Sequence, residues 1–189
     1  MKILALGLAL FLLVHTVPMI PSLRAALVAR LGDNGWKGAH TLLSAIGLGL
    51  IVWGFGLARW EGAPVWFERA KGMRHATLLV LLPVFPLLFA AYLPGWIKAR
   101  VVHPMLTAVI LWAIGHLLFV GSAPAVTLFA AFAVWAVADR LSLARRKPGT
   151  GEVPPFGRND AIAVVLGLAV YGFFVWKAHL WLIGVSPLG

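Results

Sequence analysis

Long apolar runs, separated by short stretches that carry most of the charges, form the main pattern of the 189-residue chain. Charge-free stretches predict spanning helices over residues 3–20, 39–58 and 76–97. A last span is predicted from residue 161 towards 184, after the helix start Asn159-Asp160, with Lys177 inside it. Residues 104–138 form a charge-free run of 35, too long for one span, and Gly121-Ser122-Ala123-Pro124 inside it is a turn signal. This run therefore predicts two helices, the second of them short. Because a span needs about 20 residues, the pattern predicts an all-α polytopic transmembrane bundle of about six spans, with residues 1–189 as a single domain.

Composition supports the same class of protein. The chain is 61% hydrophobic and only 12% charged, and its mean hydropathy is +0.94. Soluble domains average about 25% charged residues. We therefore expect the lipid bilayer to be a partner of this protein.

The net charge of +10 raises the question of nucleic-acid binding. Nucleic-acid binders concentrate Lys and Arg on one face, whereas here these residues occupy the loops between apolar spans. We therefore predict no nucleic-acid partner, and interpret the charges as a topology signal with contact to anionic lipid.

Counting the loop cations orients the chain. Ten follow the first, third and fifth spans and five lie on the other side; the first group is Arg24, Arg30, Lys37, Lys98, Arg100, Arg140, Arg145, Arg146, Lys147 and Arg158, and the second is Lys2, Arg59, Arg69, Lys71 and Arg74. The richer side is expected to be cytoplasmic. Residues 140–160 then form a basic cytoplasmic loop, and both termini are periplasmic. Because no small-x-small cleavage site follows the first run, we expect it to be a retained helix rather than a signal peptide.

The distribution of acids and cysteines excludes several kinds of site. The chain has no cysteine, which removes thiolate catalysis and iron–sulfur or zinc–thiolate centres. All six acidic residues fall in loops or at helix ends. A proton relay or a cation transporter built on intramembrane carboxylates is therefore not supported.

Six histidines remain as the candidate chemistry. His15, His116 and His179 interrupt apolar runs, and an imidazole at membrane depth marks a functional site by default. His40, His75 and His103 lie at predicted membrane interfaces, where a structural role is favoured.

Neutral imidazole is a ligand for haem iron, copper or zinc, and a haem is apolar enough to lie between membrane helices. Met19 follows His15 by four residues on the same helical face, so a His/Met copper site is an alternative, ranked below haem. His103 and His116 are 13 residues apart, about 20 Å along one helix, so they cannot bind one metal ion. Two small-xxx-small pairs, Ala45 with Gly49 and Ala163 with Gly167, predict close helix packing.

Several motifs together resemble the NnrU family over nearly the whole chain. They are Gly7-Leu8-x-Leu10-Phe11 with His15 and Pro21-x-Leu23-Arg24, then Tyr92-x-Pro94-Gly95-x-Ile97-Lys98, His103-Pro104-Met105-Leu106, Trp112-Ala113-x-x-His116-Leu117-Leu118, Trp135-Ala136-Val137-x-Asp139-Arg140-x-Ser142, and His179-x-x-x-x-Gly184-Val185-Ser186-Pro187. Where the family usually has Asn-Gly-Asp, this chain has Val120-Gly121-Ser122.

The resemblance implies a bacterial inner-membrane protein associated with nitrite and nitric oxide reduction. It also implies homology to zeta-carotene isomerase, a haem b enzyme whose haem histidines match His15 and His116. Those two residues are therefore the expected haem-iron ligands, with His103 and His179 as further candidates. Two alternatives stay open: haem-dependent cis–trans isomerisation of an apolar, carotenoid-like polyene, and a structural or assembly role without a cofactor.

Overall fold

The computed structural model describes residues 1–68, 72–146 and 151–188. Within these ranges it is helical, with no extended strand, so the predicted all-α fold is confirmed. The helices are α1 (Lys2–Thr16), α2 (Pro21–Trp60), α3 (Met73–Leu81), α4 (Val84–Tyr92), α5 (Trp96–Val101), α6 (Pro104–Leu117), α7 (Ala123–Arg146), α8 (Arg158–Phe173) and α9 (His179–Ile183). Among the described residues, five helical segments are long and apolar enough to span a membrane, and α6 is a shorter apolar helix.

Helix α2 begins much earlier than the charge pattern predicts. It starts at Pro21 rather than near residue 39, because proline is well suited to the first helical position. The charged residues of the predicted loop are instead exposed side chains of this helix. Gly32, with φ 71° and ψ 166°, interrupts it with a kink.

The prediction that the second helix between residues 104 and 138 is short was wrong. α6 has 14 residues and α7 has 24. α7 is longer because it continues through Asp139 and Arg140 to Arg146, whereas the charge pattern ended it at the first charged residue. Residues 140–146 of the predicted basic loop are therefore helical; Lys147, Arg69 and Lys71 lie outside the described residues.

The structure divides into two compact units. Unit 1 comprises residues 1–68 and 120–135, and unit 2 comprises residues 69–119 and 136–189. Each histidine therefore belongs to one unit, with His15 and His40 in unit 1 and His75, His103, His116 and His179 in unit 2.

Close antiparallel packing of α1 against α2 builds unit 1. Gly54 lies against the backbone of Leu4, and a Cβ on Gly47 would lie 2.9 Å from the backbone nitrogen of Phe11. Leu4, Leu8 and Ile51 form the buried core here. The predicted pair Ala45 and Gly49 makes no close approach within the described residues: Gly49 faces open space and Ala45 is exposed.

Unit 2 is built on α4, α6 and α8. Gly167 of α8 lies directly against the backbone of Pro86 in α4, so the predicted small-residue packing is confirmed at this position. Val84 and Leu87 of α4 pack with Ala108 of α6 in a second apolar core.

Polar side chains hold the start of α8 in unit 2. The buried Asp160 carboxylate accepts hydrogen bonds from the backbone N–H groups of Trp96 (3.0 Å), Ile97 (2.8 Å) and Gly157 (3.0 Å). Asn159 donates to the Pro94 carbonyl at 2.7 Å. The Pro94-Gly95-Trp96 turn and the last long helix are therefore fixed to each other by side-chain-to-backbone bonds.

Candidate histidine sites

His15 lies in the last turn of α1, one residue before the helix ends at Thr16. Its Nδ1 is 2.7 Å from the backbone carbonyl oxygen of Phe11, and the two rings stack with centroids 4.1 Å apart. A carbonyl oxygen only accepts hydrogen bonds, so Nδ1 carries the proton and donates it. In the neutral ring, Nε2 then holds the lone pair that can bind a metal.

His116 repeats this arrangement in unit 2. It lies in the last turn of α6, where its Nδ1 donates to the Trp112 carbonyl at 2.7 Å. The Trp112 and His116 rings are tilted, with centroids 5.5 Å apart. Both histidines that the sequence singles out as haem ligands therefore have the same four-residue hydrogen bond and the same tautomer.

His40 of α2 lies beside His15, although 25 residues separate them in the chain. The two ring centroids are 5.0 Å apart with an angle of 63° between the planes, and Trp36 packs against His40 at 5.5 Å. We call His15 and His40 the imidazole pair. The sequence alone favours a structural role for His40 at the interface, because the contact follows from the antiparallel α1–α2 register, which charge spacing does not show.

Two further polar groups lie close to the imidazole pair. The Trp135 ring is 5.9 Å from the His15 ring and nearly perpendicular to it, at 89°. Ser44 follows His40 by one helical turn on the same face of α2. Ser44 Oγ and Trp135 Nε1 are both buried and find no hydrogen-bond partner among the described residues.

His179 closes the end of the last helix. A π-helical turn, Phe174–Ala178, precedes it, and its Nδ1 donates to the Val185 carbonyl at 2.7 Å. Gly184, with φ 75°, provides the left-handed turn that brings this carbonyl back. The spacing of His179, Gly184 and Val185 thus has a local structural explanation.

His103 lies next to a strained turn. Val102 has φ 65° and ψ −48°, and the His103 N–H donates to the Val101 carbonyl at 2.8 Å, which defines a γ-turn. Arg140 donates to the same carbonyl at 3.3 Å, and the Thr107 hydroxyl donates to the His103 carbonyl at 3.2 Å. A positive φ is unusual for a β-branched residue, so this backbone must be held in place by its surroundings.

The remaining candidates add no ligand cluster. His75 is exposed. Met19 belongs to a 3-10 turn, Val17–Met19. It therefore does not lie on the same face of a regular helix as His15, contrary to the prediction from the sequence. Within the residues that the structure describes, no group of three or more His, Cys, Asp or Glu side chains is placed to hold a metal ion.

The chain was compared with known proteins in three ways. The family model described as "NnrU protein" matches residues 3–187. Searches against curated proteins and against solved structures returned no match.

Proposed function

Because the chain belongs to the NnrU family, we propose that it is a haem b-binding protein of the bacterial cytoplasmic membrane that acts in nitrite and nitric oxide metabolism. His15 and His116 are the proposed haem-iron ligands. The proposed topology has both termini on the periplasmic side, with the basic segment around residues 140–160 in the cytoplasm.

The observation that supports haem binding is the matched local geometry of these two histidines. In each, the backbone carbonyl four residues earlier takes the Nδ1 proton at 2.7 Å. Ligating histidines generally donate their second ring nitrogen to such an acceptor, which fixes the tautomer and the ring orientation and makes Nε2 a stronger ligand. His15 and His116 therefore both have the hydrogen bonding expected of an imidazole that binds iron.

The surroundings of the two rings also suit a haem. His15 stacks on Phe11, and His116 lies beside Trp112, each within an apolar helix. Apolar and aromatic side chains favour an apolar macrocycle and keep water away from its iron, and the polarity of these surroundings governs which small molecules the iron binds. Bound haem b would supply an iron able to bind nitric oxide; the chain supplies the ligands and the apolar environment.

The test is the absorption spectrum of full-length protein purified in detergent after expression with added haem. We expect a Soret band and a pyridine haemochrome spectrum of haem b. His15→Ala and His116→Ala should each reduce haem content, and the double variant should lose it. His75→Ala is the matched control, because this histidine is exposed, and should keep the full band.

The outcomes separate the proposed functions. A chain without a Soret band would contradict haem binding and favour the structural alternative. A band that survives in the double variant would show that other residues bind the haem. For the proposed role, disruption of the gene in its own host should slow nitrite consumption or raise nitric oxide under anoxia; unchanged nitrogen-oxide turnover would leave polyene isomerisation as the haem-dependent alternative.

A further inference from the structure

The imidazole pair brings together two histidines that the resemblance does not connect. His15 is fixed by its bond to the Phe11 carbonyl, with Nε2 left to bind a ligand. His40 makes only ring contacts among the described residues, with His15 and Trp36, and the structure shows no hydrogen bond from its nitrogens there. Two imidazoles from different helices therefore lie in contact. His15 Nε2 and both ring nitrogens of His40 take part in none of the hydrogen bonds shown for the described residues.

The ring separation indicates what the pair can bind. With metal–nitrogen bonds of about 2.0–2.1 Å, two imidazoles on adjacent positions of one tetrahedral ion have ring centres about 5 Å apart, whereas imidazoles on opposite sides of an iron atom are about 6 Å apart. The observed 5.0 Å matches the first arrangement. A ring separation of 5.0 Å is therefore compatible with two neighbouring ligands of one ion and too short for two ligands on opposite sides of it.

The buried polar atoms nearby support an occupied site. An indole N–H buried without an acceptor is costly, and Trp135 Nε1 has no acceptor among the described residues. The same holds for the Ser44 hydroxyl, one turn along α2 from His40. A metal ion held by only two protein ligands keeps bound water or hydroxide, which would accept from Trp135 and exchange a hydrogen bond with Ser44.

We propose that His15 and His40 form a binding site for one late first-row divalent transition-metal ion. Imidazole nitrogen favours copper, zinc and nickel over magnesium or calcium, and copper(II) binds most tightly to a site of this kind. Both histidines are half-buried rather than enclosed, so part of each ring remains open to an incoming ion. Because His15 is also a proposed haem ligand, bound haem and bound copper compete for it.

The test is titration of full-length, detergent-purified protein with copper(II), first without haem and then after haem loading. We expect about one tightly bound copper per haem-free chain. Its electron paramagnetic resonance signal should be that of a copper(II) site distorted from tetragonal towards tetrahedral geometry, with hyperfine coupling to two imidazole nitrogens. Haem loading should lower the amount of copper bound.

Four variants identify the ligands. His15→Ala and His40→Ala should each weaken copper binding by more than about tenfold, and His40→Gln should do the same while keeping a polar side chain of similar size. His75→Ala, the exposed control, should bind copper as the unchanged chain does. Circular dichroism and the melting temperature show whether each variant still folds.

The results distinguish this inference from the proposed haem function. Copper binding that is equal in the His40 and His75 variants overturns the inference, as does a copper signal with coupling to only one imidazole. If His15→Ala loses the Soret band but binds copper as before, the copper inference is likewise overturned, whereas the proposal that His15 binds haem iron is supported. Copper binding that depends on both histidines in a chain that takes up no haem supports it and contradicts the haem proposal alone.

Discussion

Helices pack closely at glycines within each unit, but the polar contacts added to that packing differ between unit 1 and unit 2. In unit 1, α1 and α2 approach so closely at Gly47 and Gly54 that a side chain at either position would meet the opposing backbone. In unit 2, side chains reach to backbone groups of other segments: Asp160 to Trp96 and Ile97, and Tyr171 to the Leu78 carbonyl at 2.7 Å.

This difference also extends to the histidines. Close packing of α1 on α2 brings His15 beside a second imidazole from another helix, so unit 1 has a pair suited to binding a ligand. In unit 2, His179 is engaged in closing its helix end through Val185, and His103 follows the γ-turn at Val102. A histidine in an apolar helix therefore has to be judged by what its nitrogens already bind, because burial alone does not separate ligands from structural residues.

The largest expected effect is on the polar contacts of unit 2. Asp160→Ala removes the acceptor of three backbone N–H groups, and we expect a loss of about 3 kcal/mol or more of stability. Asp160→Asn, which keeps one acceptor oxygen, should lose less. Thermal unfolding in detergent measures both.

The control for this experiment is Asp33→Ala, which breaks an exposed ion pair with Lys37 on one helix. Such pairs contribute little, so its melting temperature should be nearly unchanged. If Asp160→Ala melts like this control, the polar contacts do not hold unit 2 together.

The second prediction concerns the close packing of unit 1. Gly54→Ile forces a large side chain into the Leu4 backbone, and overpacking of this kind costs about 2 kcal/mol. It should also separate His15 from His40 and so weaken copper binding. The matched control is Gly49→Ile on the same helix, where nothing lies within 4 Å. Equal melting temperatures for the two isoleucine variants would show that α1 and α2 do not depend on this close approach.

The smallest expected effect is at the γ-turn of unit 2. Val102→Gly removes the strain of a positive φ, worth about 1–3 kcal/mol, and adds the entropic cost of glycine, about 0.5–1 kcal/mol. We therefore expect a stability gain of about 1 kcal/mol. Melting temperature measures it, with Val101→Gly as the control that should lose stability, since Val101 is helical. A loss in both variants would mean that the turn is not strained.

The sequence predicted the helical class and the position of most apolar segments, because a bilayer imposes a minimum length that charge-free runs reveal. It failed where charges lie on helices, as in the first half of α2 and the last turns of α7. Pro83 lies at one break and Pro94 and Gly95 at another, and these breaks divide residues 76–97 into shorter helices that a hydropathy profile does not distinguish.

The site was predictable in part. The sequence marked His15 and His116 as candidate ligands, and the structure shows how each ring is held; their role as haem ligands stays a prediction. His40 could not be linked to His15, because their contact depends on the α1–α2 register. The glycines at the close approaches were visible in the sequence: Gly7 lies against Leu50 and Ile51 of α2, and Gly47 and Gly54 lie against Phe11 and Leu4 of α1.

The π-helical turn at Phe174–Ala178 fixes the direction in which the final segment faces. Such a turn accommodates one residue more than an α-helix does over the same rise. Deleting a single residue between 174 and 178 would therefore restore regular winding and leave the residues after it facing nearly the same direction. His179 would then keep its place beside the Val185 carbonyl, so this stretch can absorb a change of one residue in chain length, which in a regular α-helix would rotate everything after it by about 100°.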